Sequence, residues 1–334
     1  MNEKPDNFNK RTIDVLTFGE TMLRLNAPGY SRLEESPMLE VRIGGSESNT
    51  GIALTRLGLR VHWWSRLPAN PLGRKIENEI HRWGVETSGV IWDEKTASRA
   101  GLYFLDFAVA PRGTEVLYDR AASAASEIRP EDIDEAAIAS ARLLHLTGIT
   151  PALSASCAAA TAHAISVAKR VGTPVSFDVN YRSKLWDGAT ARRILEPMLA
   201  EIDLLILPLP DAATVFGITG NGAEVARELR AQLGAGAVVV TCGADGSCAC
   251  DASGDIVSPP YPNFPREEPL YRVGSGDAFD AGLLFGFLQN DLALGLEYGA
   301  AMAALKHTMP GDLLLAARAE IEAARTGAPG HLRR

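Results

Sequence analysis

The sequence predicts an α/β protein with a mostly parallel central sheet, helices on both faces and a small separate β-sheet. Three observations carry that expectation. From Glu131 onward, short apolar runs alternate with helical patterns. Between Arg99 and Tyr118, strand patterns follow one another with no helix between them. Two glycine turns open directly into helices. Strand–helix alternation builds a parallel sheet covered on both sides, and ligands gather at the carboxyl ends of its strands.

Residues 13–19 read as a buried first strand, residues 22–26 alternate as a second, and 29–37 form a loop. Gly44-Gly45-Ser46-Glu47-Ser48-Asn49 then opens a helical pattern that runs to Leu57 and stops at Gly58. Such a turn lets a ligand approach the backbone, and Asn49 offers it both a donor and an acceptor. An N-capped core helix is the competing reading. Residues 61–66 form a strand and 73–83 a helix ended by Gly84. Residues 99–108 and 115–118 form strands joined through Pro111-Arg112-Gly113, which predicts the small sheet. Tyr103, Tyr118 and Arg120 lie there. Aromatic rings with a guanidinium suit a polar, anionic small molecule, although ordinary sheet packing and a solvated arginine account for them too.

Beyond Glu131, a first helix leads to a strand at 143–147. Helices at 154–171, near 189–199 and at 223–233 lead to strands at 174–179, 203–207 and 237–241. Gly243 and Gly246 turn the chain into a short strand at 247–251, and the Pro-rich residues 258–269 are a loop. Helices follow at 278–288, 292–307 and 313–326, before a frayed end at 331–334. Asn180, Arg182 and residues 241–246 fall just past strand ends.

The whole is organised around Arg272-Val273-Gly274-Ser275-Gly276-Asp277-Ala278-Phe279. A glycine-bracketed turn at a helix start, with unpartnered N–H groups and the positive end of the dipole, is a seat for an anion such as phosphate. A carboxylate beside such a seat suits proton abstraction from an attacking hydroxyl. An ordinary loop with Asp277 as N-cap remains open. The chain lacks the Gly-x-x-x-x-Gly-Lys-Ser/Thr phosphate loop, a Gly-x-Gly-x-x-Gly after the first strand, and a Gly-x-Ser-x-Gly elbow. What remains suits phosphoryl transfer to a hydroxyl.

The 334 residues carry a net charge of −8, which argues against non-specific nucleic-acid binding and adhesion to anionic membranes. Residues 1–11 lack the apolar core of a signal peptide, and no run approaches the roughly 20 apolar residues of a spanning helix. The four cysteines have no two-residue spacing and the six histidines form no metal helix, so a reducing cytoplasm is expected.

Most of the chain, residues 15–312, resembles the ribokinase-like (PfkB) carbohydrate kinases. Gly44 to Asn49 with Ala53, Arg56, Leu57 and Gly58 is similar to that family's first signature, and Gly274 to Phe279 to its second. Asp178-Val179-Asn180-Tyr181-Arg182-Ser183-Lys184-Leu185-Trp186 and Lys306-His307-Thr308-Met309-Pro310-Gly311-Asp312 resemble its branch acting on 2-keto-3-deoxygluconate. The resemblance implies one ribokinase-like α/β domain over 1–334, with a β-sheet lid from about 20–45 and 98–121. It implies a sugar acid held by Gly44, Gly45, Asn49, Tyr103, Tyr118, Arg120, Asn180 and Arg182. Asp277 is then the base, and the Gly274-Ser275-Gly276 turn the anion hole. ATP with Mg2+ is expected near Thr241, Gly243, Ala244, Gly246, Gly274, Gly276 and His307, and a homodimer through the lid.

Two departures stand out. Tyr271 replaces the family's usual aspartate, which helps hold a monovalent cation, so the resemblance carries no expectation of potassium activation. The family's Asn-x-x-Glu segment reads Leu207-Pro208-Leu209-Pro210-Asp211-Ala212-Ala213-Thr214, leaving Asp211 as the candidate metal carboxylate. A kinase for a neutral sugar, and a sugar-acid sensor without turnover, are the alternative readings.

Overall fold

The computed structural model describes residues 11–108, 111–200, 202–258 and 271–327. The expected loop after Ser258 and the tail at 331–334 lie outside the described residues. In chain order the strands are β1 Val15–Phe18, β2 Met22–Asn26, β3 Glu40–Gly44, β4 Val61–Trp64, β5 Arg66–Pro68, β6 Ile91–Asp93 and β7 Leu102–Asp106. They continue as β8 Glu115–Asp119, β9 Leu144–Thr147, β10 Val175–Asp178, β11 Leu204–Pro208, β12 Ala237–Thr241, β13 Ser247–Asp251 and β14 Gly254–Ser258.

The main sheet has the order β14-β13-β12-β11-β10-β9-β1-β4. It is parallel from β4 to β12, and β13 and β14 return antiparallel. Successive strand residues point to opposite faces, so the apolar runs feed two cores. Leu144, Leu146, Phe177, Leu205 and Leu207 pack with the helices Ala155–Val171, Gly188–Leu199 and Gly222–Leu233. Leu143, Leu204, Ile206 and Val239 pack with Ser46–Arg56, Ser275–Phe287 and Leu292–His307. Side-chain caps at Asn70, Ser154, Asp187, Asn221 and Asp291 start several helices by satisfying orphan N–H groups.

The small sheet has the order β3-β2-β7-β8. Paired residues share a face. One face carries Arg24, Tyr103 and Tyr118, in register across β2, β7 and β8. The other carries a row of apolar side chains, Val41, Leu25, Phe104 and Leu117, in register across all four strands.

Several expectations are corrected. The helix expected at 313–326 covers only Arg318–Arg325. Before it Leu314 and Ala316 are buried around an exposed Leu315, an alternation that belongs to extended chain. The strand at 61–66 ends at Trp64, because Arg66–Pro68 pairs with Ile91–Asp93 in a separate two-stranded sheet. β3 and β14 had no expected counterpart; with exposed, polar-interrupted sequences they are strands only through their partners. The pivotal helix starts at Ser275 rather than Ala278, which puts Asp277 in its first turn.

Candidate active site

Asp277 is buried at the start of the Ser275–Phe287 helix, only 9 % exposed. Its two carboxylate oxygens each receive a hydrogen bond from the other glycine-turn helix. Ser46 Oγ donates to Oδ1 at 2.6 Å and Asn49 Nδ2 to Oδ2 at 2.7 Å. Burial pushes the Asp277 pKa up, while these two bonds and the nearby Arg182 charge draw it down. Ser46 is itself held: Asn180 Nδ2 donates to its Oγ at 2.9 Å and to Asp178 Oδ2 at 2.7 Å. Asn180 takes the left-handed conformation, φ 43°, to make that bridge. Asn49 thus bonds the carboxylate directly and Asn180 reaches it through Ser46, and both also line the cleft beside it.

The anion seat is corrected in one member. The Ser275 N–H donates to the Arg272 carbonyl at 3.0 Å, which closes the turn and removes it from the seat. Among the described residues, the N–H groups of Gly276 and Asp277 have no protein acceptor, as the first turn of a helix leaves them. A Cβ built on Gly276 meets nothing within 4 Å, so open space lies there. Gly274 is glycine for another reason: φ is +84°, and a Cβ would lie 1.9 Å from the Asp312 carbonyl oxygen. Gly44 and Gly45 leave no room for a side chain: a Cβ would meet Tyr103 Oη and the Asp312 carboxylate at Gly44, and the Glu20 carbonyl at Gly45.

A cleft of about 390 Å³ joins these parts, lined by Gly44, Asn49, Tyr103, Tyr118, Arg120, Arg182, Gly276 and Asp277, among others. Within it the two arginines expected to hold the substrate differ. Arg120 is engaged: Nε donates to Glu20 Oε2 at 2.8 Å, Nη2 pairs with the same oxygen, and Ser123 bonds the other oxygen of Glu20. Arg182 is exposed and, among the described residues, its guanidinium bonds the Tyr181 carbonyl alone, at 3.1 Å. Tyr103 Oη donates to Asp312 Oδ2 at 2.5 Å, and Arg24 pairs with the other oxygen of Asp312. Tyr118 stays 38 % exposed beside Tyr103, its ring 5.8 Å from Lys184 Nζ.

Residues 12–315 match the sequence profile of the pfkB family carbohydrate kinases. The chain belongs to the pfkB family of carbohydrate kinases. It is 37% identical over 312 residues to a 2-dehydro-3-deoxygalactonokinase of Haloferax volcanii, a match covering 93% of this chain and 96% of the relative. It is 28% identical over 298 residues to a 5-dehydro-2-deoxygluconokinase of Shouchella clausii, covering 88% and 90%. Among solved structures, a 2-dehydro-3-deoxygluconokinase from Thermotoga maritima superposes with a TM-score of 0.87 at 32% identity, covering 94% of this chain and 100% of that one.

Elsewhere in this pfkB carbohydrate kinase, Thr241 pairs with Pro208 across β11 and β12, and Pro208 lines the cleft. The cleft itself is not lined by Thr241, Gly243, Ala244, Gly246 or His307, and the His307 side chain is buried. Asp211 accepts the Tyr181 N–H at 3.0 Å, and burial raises its pKa. No three carboxylates, cysteines or histidines among the described residues are grouped to hold a metal ion.

Sequence reasoning missed Ser46, Glu20, Asp178 and Asp280. Ser46 stood within a quoted motif, but nothing in a serine says that it faces a carboxylate 231 positions away. Asp178 and Asp280 are buried near Asp277; burial, and after it the charges of neighbouring carboxylates, Asp211 and Asp277 for Asp178 and Asp178 and Asp277 for Asp280, push their pKa values up. Glu47, buried with Thr147 and Thr150 hydroxyls on one oxygen, is pushed up to about 7 by burial.

Proposed function

We propose that the chain transfers the γ-phosphoryl group of ATP to the terminal hydroxyl of 2-keto-3-deoxygluconate or a close sugar acid. The observation that carries this reading is Asp277, held by two donors at a cleft that also presents the Gly276 and Asp277 N–H groups. The Haloferax volcanii and Thermotoga maritima relatives are named for 2-dehydro-3-deoxy sugar acids, which supports an acidic substrate. Arg182, exposed at the cleft, suits its carboxylate, as a guanidinium fork does.

The sugar hydroxyl lies against Asp277, which takes its proton as the oxygen–phosphorus bond forms. The bond from the γ-phosphorus to the bridging oxygen breaks, giving ADP and the sugar phosphate. The Gly276 and Asp277 N–H groups stabilise charge on the phosphoryl oxygens, and a weakly basic carboxylate suffices where the transition state is loose. Asp211 is the candidate protein carboxylate for a Mg2+ ion, which would neutralise phosphate charge when bound. Thr241, Gly243, Ala244, Gly246 and His307 are assigned to the nucleotide side, along the same sheet edge.

ADP release from ATP, measured with a panel of sugars and sugar acids, tests this. Turnover should be selective for 2-keto-3-deoxy acids, and Asp277→Asn should lower kcat by about 10²–10⁴-fold. Undiminished turnover in that variant refutes the base assignment. The Arg120–Glu20 pair favours a second reading, a neutral sugar, since it removes one expected carboxylate partner. Equal kcat/KM for fructose and a sugar acid would establish it.

The outer row Val41, Leu25, Phe104 and Leu117 supports a homodimer through the lid. Val41 and Leu117 are 41 % and 46 % exposed, and an apolar stripe across a whole sheet face suits a second copy.

A further inference from the structure

Lys306 has no place in the proposed chemistry, yet it is the most unusual charge in the molecule. It sits in the last turn of the Leu292–His307 helix and is 0 % exposed. Among the described residues its ammonium has no carboxylate in an ion pair. Its acceptors are main-chain carbonyls, Met309 at 2.9 Å and Tyr271 at 3.2 Å. Burying a charge is costly unless it is well coordinated, so this placement needs a reason.

The two carbonyls belong to the two segments that form the anion seat. Tyr271 precedes Arg272, whose carbonyl receives the Ser275 N–H. The Tyr271 N–H is tied back to the His307 carbonyl at 3.2 Å. Met309 leads to Asp312, whose carbonyl oxygen is so close to Gly274 that a Cβ would lie 1.9 Å from it. The Asp312 carboxylate in turn holds Tyr103 and Arg24 of the small sheet. One ammonium thus spans both halves of the cradle.

We propose that Lys306 is a positioning residue whose ammonium acts as a tethered monovalent cation, clamping the carbonyls of Tyr271 and Met309 so that the Gly274–Asp277 turn keeps its anion-binding shape without a dissolved potassium or ammonium ion. An ammonium and a potassium ion have similar size and the same charge, and both suit a set of carbonyl oxygens. Burial draws the Lys306 pKa down to about 8, and the carboxylates of Asp312 and Asp277 hold it up, so the charged form prevails at neutral pH.

This inference rests on the phosphoryl-transfer reading of the cleft. The full chain and its Lys306→Ala and Lys306→Met variants are assayed in a buffer whose only monovalent cation is tetramethylammonium. Potassium, ammonium, methylammonium or lithium chloride is then added. Wild-type turnover should be indifferent to these salts. In Lys306→Ala kcat should fall by about 10- to 100-fold with a smaller change in KM for the sugar, the size expected for losing a buried charged hydrogen-bond donor. Ammonium, methylammonium or potassium should restore part of it, and lithium should not. Ammonium should also raise the melting temperature of Lys306→Ala and leave that of the wild type unchanged. Lys306→Met fills the same space without charge, and should lose turnover with no recovery.

Activation of the wild type severalfold by potassium overturns the proposal, whether or not a variant folds. So does wild-type turnover in either variant, or a folded Lys306→Ala that no cation recovers. A wild type with no transfer to any sugar acid would sink the functional reading instead, and the ammonium-dependent melting shift would still decide the role of Lys306.

Discussion

At Asp277 burial and hydrogen bonding pull against each other. The Ser46 and Asn49 donors favour the carboxylate, and desolvation, the larger effect, favours the neutral acid. The folded pKa is raised, so the carboxylate, the proposed base, is lost as pH falls through a value above the ordinary carboxylate range of about 4. The kcat of the sugar kinase reaction should therefore show an acidic limb above that range. Asn49→Ala, which removes one stabilising donor, should move the limb to higher pH; an unmoved limb would assign it to another group. The arginines can be separated in the same way. Arg120→Ala leaves Glu20 buried without its partner and should destabilise the fold by about 3–5 kcal/mol, read as a lowered denaturation midpoint. Arg182→Ala removes an exposed side chain and should leave stability unchanged. It should raise KM for a sugar acid by about 10-fold or more, the loss of one charged hydrogen bond.

At the scale of the element, the helix Ser275–Phe287 is where a glycine pair divides its labour. Gly274 supplies the left-handed turn and clears the Asp312 carbonyl. Gly276 faces open space with ordinary helical angles. Gly274→Ala should therefore lose stability and activity together. Gly276→Ala should keep or slightly raise the melting temperature, since alanine is favoured over glycine in a helix by roughly 0.5–1 kcal/mol. Its Cβ enters the phosphate space, so turnover should fall. Equal loss of stability in both variants, by thermal melts, would contradict this division. The helix is itself placed by a close crossing: a Cβ on Gly282 would lie 2.3 Å from the Gly299 backbone nitrogen of the Leu292–His307 helix. That crossing brings Lys306 to the Tyr271 carbonyl.

For the whole molecule, the small sheet has two faces with different fates. The face with Tyr103 and Tyr118 lines the cleft, and the face with Val41, Leu25, Phe104 and Leu117 turns outward. Sedimentation should find a dimer, and Leu117→Glu should shift it to monomer by placing a charge in the row. A wild type that sediments as a monomer at micromolar concentration removes the lid interface. Dimer loss should also weaken sugar binding, because the sheet proposed to pair with a second copy carries Arg24 and Tyr103 to Asp312, next to Gly274.

Sequence determined what local chemistry can write: the strand–helix alternation, the two glycine turns, and Asp277 at the second of them. Periodicity and turn residues are local properties, and they survive without knowledge of neighbours. Tertiary structure alone decided which polar groups are already engaged. Arg120 and Arg182 look alike in the chain, and only packing shows that one faces Glu20 and the other solvent. Gly44 and Gly276 look alike too, but one clears a tyrosine and the other clears open space. Ser46 and Lys306 acquire their roles from partners 231 and 35 positions distant, contacts that no local pattern encodes. A side chain's type fixes which bonds it can make, and the fold decides which of them are left for a ligand.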